Sequence, residues 1–219
     1  LGLWIWGSLL RRDLLSIPYT VFFFIQKLPM QRVRWWPVAR QEIQMIAYLL
    51  PLVFANIGAS LCSTVFATDV MGANEQDNGG YGVVCANVSS ALIQAIYTRG
   101  RARTFTVSRL SGDLSGLKYP SKETTRTVPF SLLPKKLFDK KQIPWTVIMQ
   151  GRWKHKDHIT LGEGRAVMKL LRAITPIASL HRSKIPSLQD NMPIAGVFTK
   201  GRSAAPSLMY LARMKAAHC

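Results

Sequence analysis

The chain has 219 residues, 48% of them hydrophobic, enough for a real core, which excludes global disorder. Its 29 Lys and Arg against 11 Asp and Glu leave a formal net charge of +18. Such an excess points to a polyanionic partner, most commonly nucleic acid, with an anionic membrane surface as the competing possibility. Three cysteines (Cys62, Cys85, Cys219) are too few for a disulfide framework. Cys62 and Cys85 are expected to be small core residues, in an intracellular (cytoplasmic or nuclear) setting.

Residues 1–60 are predicted to form a mostly helical lead-in, rich in aromatics, with Trp4, Trp6, Trp35 and Trp36. Within it, "YTVFFFI" (19–25) is expected to be buried, since seven residues are too few to cross a bilayer. The tryptophans of "RWWP" are expected to pack a seam between this segment and the domain that follows. From Met45 to Thr68 the chain carries no formal charge over 24 residues, a length that qualifies as a membrane-span candidate. Pro51, Gly58 and the polar Asn56, Ser60, Ser63 and Thr64 weaken that candidate. The period also changes, helix-like in "QEIQMIAYLLPLV" and strand-like in "STVFATDV". A helix, a loop and a strand explain the run better than one span.

Residues 61–219 are predicted to be a mixed α/β domain. Residues 63–71 and 80–88 form a strand pair, with Asn78-Gly79-Gly80 supplying the positive-φ residues of its turn. Residues 98–144 are a basic insertion with eleven cations against three acids, interrupted by Pro120, Pro129, Pro134 and Pro144. It is either a solvated excursion or a phosphate-contacting arm using Arg99, Arg101, Arg103, Lys135 and Lys136. "WTVIMQGRW" (145–153) is a third strand. In "GEGRAVMKLLRAITPIASL", Glu163, Val167, Leu170, Leu171 and Ile174 share one helix face, and Pro176 bends or ends it. "IPSLQDN" (185–191) is a short strand, followed by a short helix, a basic turn with Lys200 and Arg202, and a final helix.

Three of the eleven acids occupy unusual places. Asp69 ends the first strand, Glu163 lies on an apolar helix face, and Asp190 ends the fourth strand. Each alone has a structural explanation as a cap or a helix-terminal charge. Together they can converge at one sheet edge, where neighbouring carboxylates stay ionised only if cations compensate them. Hard oxygen ligands suit Mg2+ or Mn2+, and two such ions can cleave a phosphodiester. His155 and His158 make no zinc pattern, and "GEGRAVMK" lacks the Lys-Ser/Thr end of a phosphate loop.

The blocks "ATDVMGA…GGYGVVCA", "HITLGEGRAVMKLLRAI" and "QDNMPIAGVFTKGRS" resemble signature blocks of the ribonuclease H-like domain in retroelement reverse transcriptases, closest to the DIRS-like kind. "RWWPVARQEIQMIAYLLPLVFANIG" resembles the tether between the polymerase part and that domain. The resemblance implies a five-stranded mixed sheet with flanking helices, preceded by a helical tether. It implies two-metal hydrolysis of the RNA strand of an RNA–DNA hybrid, beside the polymerase part of the same polyprotein. Asp69, Glu163 and Asp190 match the family's acids and metal ligands, and Asn191 its substrate-orienting asparagine. Lys200 and Arg202 join the nucleic-acid contacts. The sequence departs from the family at Val70-Met71, where Ala-Ser is usual, at Gly162, where a bulkier residue is usual, and in its long insertion. It stops before the family's fourth carboxylate, so a piece of a longer protein is expected. The alternatives are an inactive basic nucleic-acid-binding module and a protein with a single membrane span.

Overall fold

The computed structural model describes residues 1–28, 33–101 and 143–219, without the side chains of residues 99–101. The expected arm residues Arg103, Lys135 and Lys136, and the side chains of Arg99 and Arg101, therefore lie outside the described residues. The fold is mixed α/β, with a four-stranded sheet in the order β3-β2-β1-β4. The resemblance implied five strands; four are present among the described residues.

β1 (Thr64–Met71) and β2 (Gly80–Asn87) pair antiparallel over their whole length. Their β-branched and aromatic residues alternate across the pleat, as a sheet covered on both faces requires. The connection is an eight-residue loop, 72–79, rather than a tight turn, and only Gly79 in it has positive φ (79°). A Cβ there would lie 2.3 Å from the Met71 carbonyl oxygen, so glycine is required. Asn78, expected to share that role, instead donates its side-chain amide to the Lys154 carbonyl.

β3 (Thr146–Arg152) extends the sheet antiparallel to β2, with a register shift at Val83/Val84. β4 is only Ser187–Leu188, parallel to β1 through Phe66↔Ser187 and Ala67↔Leu188. The strand expected at 185–191 is thus shortened to two residues, and Asp190 lies beyond it. Asp69 is not the end of β1 either, because pairing continues to Met71↔Gly80.

Helices cover both faces. On one, α4 (Ser90–Arg101) places Ile93 and Ile96 against Val65 and Ala86. This helix was not expected, because the basic, proline-bearing residues that follow mask its short period. On the other face, α5 (Ile159–Ile174) sets Leu170 and Ile174 on Phe66 and Val83. It begins three residues before the predicted start at Gly162, capped by His158 Nδ1, which accepts from the Thr160 amide. A further layer, α6 (Met192–Lys200) and α7 (Pro206–Ala216), closes on the far side of α5 through Met168, Ile194 and Leu211.

The lead-in comprises α1 (Gly2–Ser8), α2 (Tyr19–Lys27) and α3 (Pro37–Leu49), with a 3-10 turn at Arg12–Ser16. The 24-residue uncharged run resolves into the end of α3, a 3-10 turn, a loop and the start of β1. Among the described residues no helix is long and apolar enough to cross a membrane. "YTVFFFI" is less buried than expected, since only Val21 and Phe24 of α2 are buried. Among the described residues Trp35 and Trp36 pack on Phe24 within the lead-in rather than on a seam with the domain. Cys62 and Cys85 are half-buried and unpaired rather than full core residues.

The seam is polar. Arg213 of α7 donates to the Ser16 and Ile17 carbonyls and to the Glu42 carboxylate. Glu42, 3% exposed, also accepts from the Val21 amide in the first turn of α2, a donor with no partner inside the helix. Lys215 pairs with Asp13 nearby. Removing one member of a buried, hydrogen-bonded pair strands the other, typically at about 3–5 kcal/mol. Arg213→Ala should therefore lower unfolding free energy by about that amount in urea melts. The exposed Arg165–Asp157 pair offers the control, where Arg165→Ala should cost about 1 kcal/mol or less.

Candidate metal centre

Asp69, Glu163 and Asp190 come together at one edge of β1, each offering an oxygen, and these oxygens all lie within 4.8 Å of one another. The parallel β1–β4 register explains the first meeting. Continued two residues past Ala67↔Leu188, it sets Asp69 opposite Asp190. Both aspartates are exposed, while Glu163 is 3% exposed, reaching the cluster from beneath, in the second turn of α5.

The depth of Glu163 depends on its glycine neighbours. A Cβ on Gly162 would lie 3.0 Å from Val70 Cγ1, and one on Gly164 would lie 2.6 Å from Leu211 Cδ1. α5 is thus pressed against β1 on one side and α7 on the other. Val70 Cγ1 stands where a side chain at position 162 would need room.

Two partners that sequence patterns did not reveal orient the glutamate. Gln189 donates its side-chain amide to Glu163 Oε2 at 2.8 Å. Its carbonyl accepts from the Thr68 hydroxyl at 2.6 Å, which fixes the amide with its NH2 toward the carboxylate. Thr68 and Gln189 each precede an aspartate. Successive strand residues face opposite sides, so the neighbours of the aspartates face α5. That adjacency is the signal that could have found them.

Burial raises the Glu163 pKa above its ordinary value of 4.5. The Gln189 hydrogen bond opposes this, the charges of Asp190 and Asp69 add to it, and the Val70 amide opposes it. None of these groups is a cation. The Gln189 and Val70 hydrogen bonds offset burial and the two charges only in part, so the carboxyl stays raised. A proton or a cation would relieve what remains. The donor set is all carboxylate oxygen, which suits a hard cation, and the cluster can hold a metal ion.

The other expected site residues lie elsewhere. Asn191 caps α6, its side-chain oxygen accepting from the Ile194 amide at 3.2 Å. Lys200 and Arg202, both exposed, sit at the far end of α6 and line a groove against α2.

Two measurements test this arrangement. Gly162→Ala gains about 1 kcal/mol of helix propensity but meets Val70, a stiff β-branched residue. In a Val70→Ala background the gain should appear in full, giving a coupling of about 0.5–1 kcal/mol in a double-mutant cycle. Additive effects would contradict the contact. For Glu163 the folded state holds its proton more tightly than the unfolded chain. Metal-free stability from this group is therefore lost as pH rises from about 4.5 through the raised folded value. Over that window Glu163→Gln should gain Tm relative to wild type. Saturating Mn2+ should stabilise wild type, by about 2.7 kcal/mol at a hundredfold excess over Kd, and the variant much less.

Comparison of the chain with protein-family models, curated proteins and solved structures finds no match.

Proposed function

We propose that this chain is a ribonuclease H-type domain, hydrolysing the RNA strand of an RNA–DNA hybrid as part of a retroelement reverse transcriptase. The observation that carries this is the convergence of Asp69, Glu163 and Asp190 from three separate segments. The sheet order β3-β2-β1-β4, with parallel β1–β4 pairing, is compatible with it. A net charge of +18 supplies the attraction for a polyanion.

The ligands would be Mg2+ or Mn2+ held by the three carboxylates. Such ions, held there, would supply activation of an attacking water and stabilisation of the leaving oxygen of a phosphodiester. The chain's own residues do the positioning. Asp69 and Asp190 present open carboxylates to solvent and substrate. Gln189 holds Glu163 in the one orientation that Thr68 allows.

Substrate reaches the acids over bare backbone. Gly82 pairs directly with Asp69, and Gly80 with Met71, so no side chain stands beside the carboxylate on β2. Nothing lies within 4 Å of where a Gly82 Cβ would be. Gln150 and Arg152 of β3 border the same open recess of about 590 Å3. Such a shelf admits a sugar–phosphate backbone close to the metal ligands, with the exposed Arg152, which also pairs with Asp77 at 3.8 Å, in reach of a phosphate.

With Mn2+ or Mg2+, an end-labelled hybrid should lose its RNA strand while its DNA strand stays intact. Asp69→Asn and Asp190→Asn should abolish cutting while hybrid binding persists. Gly82→Val should keep Mn2+-induced stabilisation, and strand propensity favours it, yet it should cut poorly because the side chain stands over the shelf. Hybrid binding without cutting by wild type would leave only a basic nucleic-acid-binding module.

A further inference from the structure

We infer that the groove between α2 and α6 is a binding channel for a single nucleic-acid strand, with unpaired bases stacked on Phe22 and Phe23 and phosphates held by Lys200 and Arg202. The groove encloses about 600 Å3, within the range of about 300–1,000 Å3 usual for ligand sites. Its lining includes both cations and no acidic residue. One wall is aromatic. α2 buries Val21 and Phe24 in the lead-in core and leaves Phe22 and Phe23 38% and 41% exposed.

These rings are not there by looseness of the lead-in. Tyr19 meets Phe23 edge-to-face at 4.9 Å and donates its hydroxyl to the Ala204 carbonyl across the groove, at 3.3 Å. At the same end, Gly201 (φ 68°) lies so close to Arg12 that a Cβ would be 1.8 Å from its carbonyl oxygen. The walls are therefore tied together while the rings between them remain uncovered. Aromatic faces beside cations, without acids, are what a sequence-tolerant single-strand site requires.

The groove extends along α6, from Met192 and Pro193 to Lys200. Its Met192 end follows Asp190 by two residues in the chain. The inference rests on the proposed function for the nature of its ligand and adds a second, metal-independent contact to it.

The test uses the full chain in EDTA, with short single-stranded RNA, single-stranded DNA and RNA–DNA hybrid, each also carrying 2-aminopurine. Wild type should quench 2-aminopurine in the single strands on binding. Phe22→Leu with Phe23→Leu keeps apolar volume but removes the ring faces. It should lose about tenfold in single-strand affinity per ring, with hybrid affinity little changed. Lys200→Ala with Arg202→Ala should reduce the slope of log affinity against log salt by about 1.4, the value for two phosphates of a single strand. Unquenched binding by wild type, or a leucine variant that binds single strands like wild type, overturns the channel. That outcome holds even if hybrid is cut, so the nuclease would survive it. Ring-dependent quenching by a protein that cuts no hybrid under Mn2+ would support the channel and reject the nuclease.

Discussion

The close approach of α5 to the sheet is the constraint on which the remaining geometry depends. Gly162 lets the helix settle on Val70, and Gly164 lets α7 and α6 close over its other side. Between them Glu163 is carried to the depth of the strands while α5 keeps its apolar face on Phe66 and Val83. A side chain at position 162 would press on Val70, and one at 164 would push the Leu211 side chain aside. Because Val70 stands where a side chain at position 162 would need room, helix and strand are matched to each other as a pair.

That packing creates an electrostatic problem which the protein alone does not solve. A carboxylate 3% exposed and within 4.8 Å of two others is disfavoured by desolvation and by repulsion together. Gln189 and Thr68 supply orientation, but their hydrogen bonding opposes burial and repulsion only in part. Groups arranged this way are stable when a proton or a cation joins them. The low-dielectric side of the cluster is provided by α5, and its open side by the two aspartates. A cation would thus be held from below by a rigid helix and remain reachable from above.

The lead-in is fastened to the domain by the same kind of chemistry, with the opposite balance. Glu42 is as buried as Glu163, but it accepts from Val21 and pairs with Arg213, which also satisfies the Ser16 and Ile17 carbonyls. Here the compensating cation belongs to the chain. The contrast between the two buried glutamates separates a structural carboxylate from one available to a ligand. Fastening the lead-in also brings α2 alongside α6, so the groove between them exists only because this seam forms.

Much of the sheet was legible in the sequence. The alternation in 64–71 and 80–87, the third strand and the apolar face of α5 are local patterns, and local patterns report period and burial. The three acids could be singled out because each interrupts an apolar pattern. β4 and α4 were less legible, since two residues carry no period and a short helix running into basic residues loses its contrast. What tertiary structure alone decided is how distant residues meet. Thr68 finds Gln189 across 121 positions, and Glu42 finds Arg213 across 171. The orientation of Glu163, its fit between Val70 and α7, and the aromatic wall facing Lys200 all depend on such meetings. Composition and period determined the charge, the class of fold and the candidate ligands. Strand register and close packing decided that the ligands converge, because side-chain distances across a fold are set by contacts that no local stretch of sequence contains.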